Sequence, residues 1–150
     1  MKELRVSAIE NGTVIDHIPA KSVMKVVKIL DLENSENTIL IGANLDSKKL
    51  LKKGIIKVSN KFFKPNEINK ISLVAPEASL IIIKNFNVKE KTIVKVPKQI
   101  SGIVKCKNAK CITNHENIET VFNVVEGCEP LKLKCKYCEK IAEKDEIEFL

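Results

Sequence analysis

The 150-residue chain contains no tryptophan, one tyrosine and five phenylalanines, so aromatics make up only 4% of it. A surface that stacks on nucleic-acid bases needs more of them. No stretch approaches the roughly 18 uninterrupted apolar residues of a membrane-spanning helix, so no membrane association is expected. With five glycines and five prolines there is neither a low-complexity segment nor an internal repeat. The opening residues lack the basic-then-apolar pattern of a secretory signal. A reducing, cytoplasmic setting is therefore expected, in which structural disulfides are rare.

Lysine, by contrast, is abundant. Lys and Arg total 26 against 19 Asp and Glu, a net +7. Its location matters more than its size. Residues 1–97 hold 17 basic and 10 acidic side chains and carry all of the excess, whereas residues 98–150 hold 9 of each. The second part is thus neutral, with no basic excess to grip phosphates. No nucleic-acid partner is expected. A nucleic-acid-binding zinc-ribbon accessory factor is the rival reading that this charge count disfavours.

Four of the five cysteines fall in two close pairs, Cys106-x4-Cys111 and Cys135-x2-Cys138. Each pair can turn both sulfurs to one side of a tight turn, and two such turns facing each other supply the tetrahedral thiolate set that Zn2+ prefers. One structural zinc per chain is expected, held by Cys106, Cys111, Cys135 and Cys138. Four thiolates leave no open coordination position, so the metal holds structure and does no chemistry. His115 and Cys128 are rival ligands, but neither sits in a close pair. Loading adds −4 from the thiolates and +2 from the metal, which makes this module about −2.

Along the chain, Leu4, Val6 and Ala8 alternate with Arg5, Ser7 and Ile9 as a strand would, and Asn11-Gly12 predicts a hairpin returning through Thr13–Ile18. Val23, Val26, Val27 and Leu30 recur at helical spacing over about three turns, with lysines 21, 25 and 28 opposite. Residues 38–45 and 54–58 read as strands. A second helix opens at Pro65, runs through Ile68, Ile71 and Leu73, and stops at Pro76. Residues 79–86 and 92–96 read as further strands around a polar turn at 87–90. Beyond Pro97, short strands are expected at 103–105, 118–125, 131–133 and 146–149. The fold class is therefore α+β: an N-terminal antiparallel-rich sheet with two helices on one face, ferredoxin-like in outline, then a small all-β zinc domain. The expected boundary divides 1–97 from 98–150. No nucleophile, open metal site or Gly-rich phosphate loop accompanies the Asp16-His17 dyad, so an enzyme is not expected.

Gly12-Thr13-Val14-Ile15-Asp16-His17-Ile18-Pro19-Ala20, the helix-closing Ala75-Pro76, the C-x4-C knuckle and Leu133-Lys134-Cys135-Lys136-Tyr137-Cys138-Glu139 together resemble the regulatory chain of aspartate carbamoyltransferase, over essentially the whole length. The resemblance implies a non-catalytic regulatory subunit for pyrimidine biosynthesis. Its first domain would bind nucleoside triphosphates (CTP, ATP, UTP) and form a homodimer, and its zinc domain would dock on the catalytic chain. By that resemblance Asp16 accepts from ribose hydroxyls, His17 and Lys91 contact phosphates, and Lys57 reaches ribose and base. Val6, Ala8, Ile9, Val14, Ile83, Phe86 and Val88 wall the base, and Asn108 and Glu139 lie near the catalytic-chain interface. Ser7, Ile81 and Phe86 depart from the acidic, amide and tyrosine residues expected in the pocket, and Lys110 from a polar uncharged one. Fewer side-chain hydrogen bonds to the base are then expected, at the expense of discrimination between bases.

Overall fold

Residues 8–150 are described by the computed structural model, and the chain divides between Lys95 and Val96 into two compact units. The first unit runs β1 (Gly12–Pro19), α1 (Val23–Ile29), β2 (Ile39–Ser47), β3 (Leu51–Ser59), α2 (Pro65–Val74), β4 (Ser79–Lys84) and β5 (Asn87–Ile93). Its sheet has the order β2-β3-β1-β4-β5, with every neighbour antiparallel. This is the ferredoxin-like arrangement with one strand added beyond β4, so the expected α+β class is the class found.

Because side chains alternate across a strand, the register sorts residues onto two faces. On one face Ile15 stands between Ile56 and Leu80, and all three are buried. Helix α1 covers this side: a Cβ on Gly54 would meet Val23 Cγ2 at 1.8 Å, so only glycine allows the helix this close. The helix buries Val23, Val26 and Val27 and exposes Met24, Lys25 and Lys28, as its spacing predicts, although it is two turns long and is preceded by a short 3-10 turn at Ala20–Ser22. Helix α2 starts at Pro65, whose missing N–H costs nothing in the first turn, and the Glu67 carboxylate accepts the Lys64 N–H at 3.0 Å. Pro76 follows its end.

Two local expectations need correcting. Most of the first strand expected at 4–9 lies outside the described residues, and the hairpin return expected of 13–18 is replaced by other pairing. β1 has β3 on one side and β4 on the other, and both of its edges are occupied. Gly12 is there for close approach: a Cβ on it would sit 2.1 Å from the Val58 carbonyl oxygen, and its φ is +142°. Nor is 87–90 a turn. The turn is Asn85-Phe86, both with positive φ (52° and 64°) as a two-residue hairpin requires, and 87–90 belongs to β5. Every residue of β5 is exposed, so this edge strand has no apolar period to betray it.

The second unit is built from β6 (Gln99–Ser101), β7 (Val104–Lys105), β8 (Val121–Val124), β9 (Lys132–Cys135), β10 (Ile141–Glu143) and β11 (Glu148–Phe149). Four of these form a sheet in the order β10-β9-β8-β6, and β11 pairs with β7. Phe122, Ile100, Ile103, Val104 and Leu133 form its small buried core, which Cys106, Cys111 and Cys135 join.

Candidate metal centre and charged sheet face

In the second unit the two knuckles bring all four paired cysteines together. Cys106 leaves β7 into a turn closed by Cys111 N–H donating to Asn108 O at 2.9 Å. Asn114 clamps that turn, its Nδ2 donating to Cys106 O at 2.9 Å and Asn108 O at 2.8 Å. Cys135 ends β9, and Glu139 closes the other turn by donating its N–H to Cys135 O at 2.9 Å. Glu139 can do so because it adopts a positive φ of 64°.

The four sulfurs lie within 4.8 Å of one another. Sγ of Cys106 is 3.6 Å from that of Cys138, and Sγ of Cys111 is 3.8 Å from that of Cys135. A disulfide would need about 2.05 Å. A tetrahedral zinc with arms of about 2.3 Å gives sulfur–sulfur edges of about 3.8 Å, so the quartet fits one structural zinc ion. Cys128 and His115 stand outside the quartet. The His115 ring faces the Ala109 carbonyl instead, with Nε2 at 2.7 Å.

The electrostatics favour metal over bare thiolates. Burial pushes the Cys106 thiol up to about 12, against the N–H of Asn108, and the neighbouring thiols add to the rise; burial also raises Cys135. Burial works against the Cys138 thiolate too, but the Lys140 N–H, the Asn108 side chain and the thiols of Cys106 and Cys135 donate to it and bring it down to about 7. Burial thus makes the Cys106 and Cys135 thiolates costlier than that of Cys138, a cost that a cation held among the sulfurs offsets. The zinc domain's proposed interface residues sit on these turns: Glu139 is exposed, whereas the Asn108 side chain turns inward toward Cys138.

In the first unit, the sheet face opposite Ile15 gathers most of the other singled-out residues. Lys57, Val14, Ile81 and Lys91 lie in one row across β3, β1, β4 and β5. Two lysines thus flank an apolar pair, about 14–15 Å apart at the backbone by strand spacing. Ile9, Val14 and Ile83 pack together, with Ile55 and Ile81 against them, and Val88 is paired with Ile83. Ala8 is exposed, and Phe86 is 65% exposed at the hairpin tip, where its N–H is held by Glu10 O at 2.9 Å. Val6 and Ser7 lie outside the described residues.

A register break between Ile15 and Ile18 leaves Asp16 and His17 unmatched in the β1–β3 pairing, while Asp16 keeps its place opposite Ser79 on β4, and His17 takes a φ of 57°. The Asp16 carboxylate accepts the His17 N–H at 2.6 Å and the Lys53 ammonium at 2.8 Å. Burial opposes its charge, but Lys53 and the His17 N–H outweigh burial and hold the carboxyl below its usual range. Burial lowers the Lys57 pKa, and the Asp16 charge pulls the other way. His17 Nδ1 is 2.9 Å from Ser79 Oγ, which leaves Nε2 as the ring's other polar atom. Sequence reasoning missed Lys53 and Ser79. Counting by two back from Lys57 along β3 reaches Lys53 on the same face, a signal the Lys52-Lys53 pair obscured.

Comparison with known proteins bears on both sites. Residues 4–95 match the family model described as aspartate carbamoyltransferase regulatory chain, allosteric domain, and residues 98–148 match the metal binding domain of the same chain. Curated aspartate carbamoyltransferase regulatory chains from Bacteroides thetaiotaomicron and Pyrococcus horikoshii are each 51% identical, over 147 and 149 residues. These alignments cover 98% of this chain and 95% and 97% of the relatives. The relative from Thermococcus sibiricus is 50% identical, with 98% and 97% covered.

If the quartet holds the metal, serine at Cys106, Cys111, Cys135 or Cys138 should abolish stoichiometric zinc, measured by elemental analysis of the purified chain. Cys128→Ser should keep one zinc per chain. Loss of metal in Cys128→Ser alone would overturn the assignment.

Proposed function

The chain belongs to the aspartate carbamoyltransferase regulatory-chain family, with an allosteric domain followed by a metal-binding domain, and on that footing we propose how its two domains divide the work. Residues 1–97 bind nucleoside triphosphates and pair with a second copy of the chain. Residues 98–150 dock on the catalytic chain through the zinc knuckles, at Asn108 and Glu139. The polypeptide itself performs no catalysis and works in the cytoplasm.

The observation that carries the effector assignment is the lysine-flanked row Lys57-Val14-Ile81-Lys91 beside Asp16 and His17. Ammonium and imidazolium groups meet phosphates, a carboxylate accepts from a ribose diol, and the apolar residues between them receive a base. Ile81 stands in the middle of the row and presents no hydrogen-bonding group. The base is therefore read chiefly by shape and backbone, whereas the triphosphate is read by charge. The rival nucleic-acid reading has nothing comparable behind it, since the zinc module carries no basic excess.

Affinity should depend on phosphate number and salt more than on the base. A charge-assisted hydrogen bond is worth roughly 1.5–3 kcal/mol, so Lys91→Ala should weaken triphosphate binding about ten- to a hundredfold. Lys57→Ala should act mainly on the nucleoside end. Titration calorimetry with CTP, ATP and inorganic triphosphate separates the two, and a strong preference for one base that survives in Lys91→Ala would contradict the scheme. Mixed with the catalytic chain, the zinc-loaded chain should form a larger assembly in light scattering, and chelated or cysteine-mutant chain should not. Normal assembly by zinc-free chain would refute the docking role.

A further inference from the structure

A tetrathiolate centre concentrates negative charge, and the residues that donate hydrogen bonds to the sulfurs decide how much of it the metal must carry. In this chain several of those donors share a position relative to their cysteine. The Asn108 N–H faces the Cys106 sulfur, the Tyr137 N–H faces Cys135, and the Lys140 N–H faces Cys138. Each of these three lies two residues after its cysteine, and Cys135 also receives the N–H of Cys138, three residues on. At Cys111 the residue two positions on is Thr113, and there it is a side chain that donates: Thr113 Oγ1 lies 3.2 Å from Cys111 Sγ.

We propose that Thr113 is a positioning residue of the metal centre, whose hydroxyl donates to the Cys111 thiolate and holds it toward the metal. The local structure supports this. Thr113 is the middle residue of the 3-10 turn Ile112–Asn114, which begins directly after Cys111. That turn is fixed from both ends, by Asn114 N–H donating to Cys111 O at 2.9 Å and by the Asn114 side chain gripping the first knuckle. The hydroxyl is therefore held over the sulfur, and Cys111 itself is buried, with 2% of its surface exposed. With water kept from the thiolate, a protein donor is what remains to share its charge. Cys138, nearer the surface, has two donors besides the thiols, the Lys140 N–H and the Asn108 side chain.

The proposal rests on the four-cysteine zinc site. Thr113→Val keeps the shape and removes the donor, and Thr113→Ser keeps the donor and removes a methyl group. Two readouts on the full chain test it: the rate of zinc release into excess chromogenic chelator, and the thiolate-to-metal charge-transfer band after cobalt substitution. Loss of a partner that orients a metal ligand costs about 10–100-fold in metal affinity. Thr113→Val should accordingly release zinc at least about tenfold faster. Its charge-transfer band should move to lower energy, because an unshared thiolate gives up its electrons more easily. Thr113→Ser should restore both. Equal behaviour of Thr113→Val and wild type, or equal loss in Val and Ser variants, would overturn the role. Were the zinc site itself wrong, wild-type chain would hold no stoichiometric metal at all, a separate outcome.

Discussion

Three buried sulfurs and a half-buried fourth, all within 4.8 Å of one another, would repel strongly as thiolates without a cation among them, and the second unit is built around that constraint. It has some 55 residues and a core of one phenylalanine and a few aliphatic side chains. A module of that size gains little from apolar burial alone. Structural zinc contributes about 10–16 kcal/mol in zinc-finger peptides, enough to exceed what such a core supplies. The knuckles also place their own surroundings: Glu139 takes its left-handed turn because Cys135 and Cys138 must face inward, and Thr113 comes over Cys111 for the same reason. The surface proposed for a partner is thus set by the metal's geometry.

The first unit depends on a different constraint, the alternation of side chains along β1. With both edges of β1 hydrogen-bonded, Ile15 is committed to the helix side and Val14 to the opposite side. Asp16 follows on the Val14 side, opposite Ser79 of β4, and the break in the β1–β3 register beside it sets its carboxylate against Lys53. The ion pair is largely shielded, and a buried pair adds little to stability while losing one partner is costly. Its consequence is placement: the carboxylate stays ionised and fixed beside the row that carries Lys57 and Lys91.

Much of this was legible because the physical signal was strong. Cysteine spacing declares a tetrahedral site before any fold is known, and Val23, Val26 and Val27 on one stripe require a helix with a dry side. Pro65 and Pro76 mark where the second helix can begin and end. What stayed hidden had no such signal. β5 is wet on both faces, β6 and β10 are three residues long, and Asn11-Gly12 reads as a turn although the glycine serves a close backbone approach. Lys53 and Ser79 were missed for another reason: their partners, Asp16 and His17, lie 37 and 62 positions away in the sequence, and only the register brings them together.

Amide hydrogen exchange read by mass spectrometry, before and after zinc is stripped by a chelator, tests the central claim most directly. The account predicts that protection collapses across 96–150, β8 and β9 included, while β1, β3 and β4 keep theirs. Retention of protection in β8 and β9 without zinc would show that the apolar core alone holds the second unit, and would contradict the account.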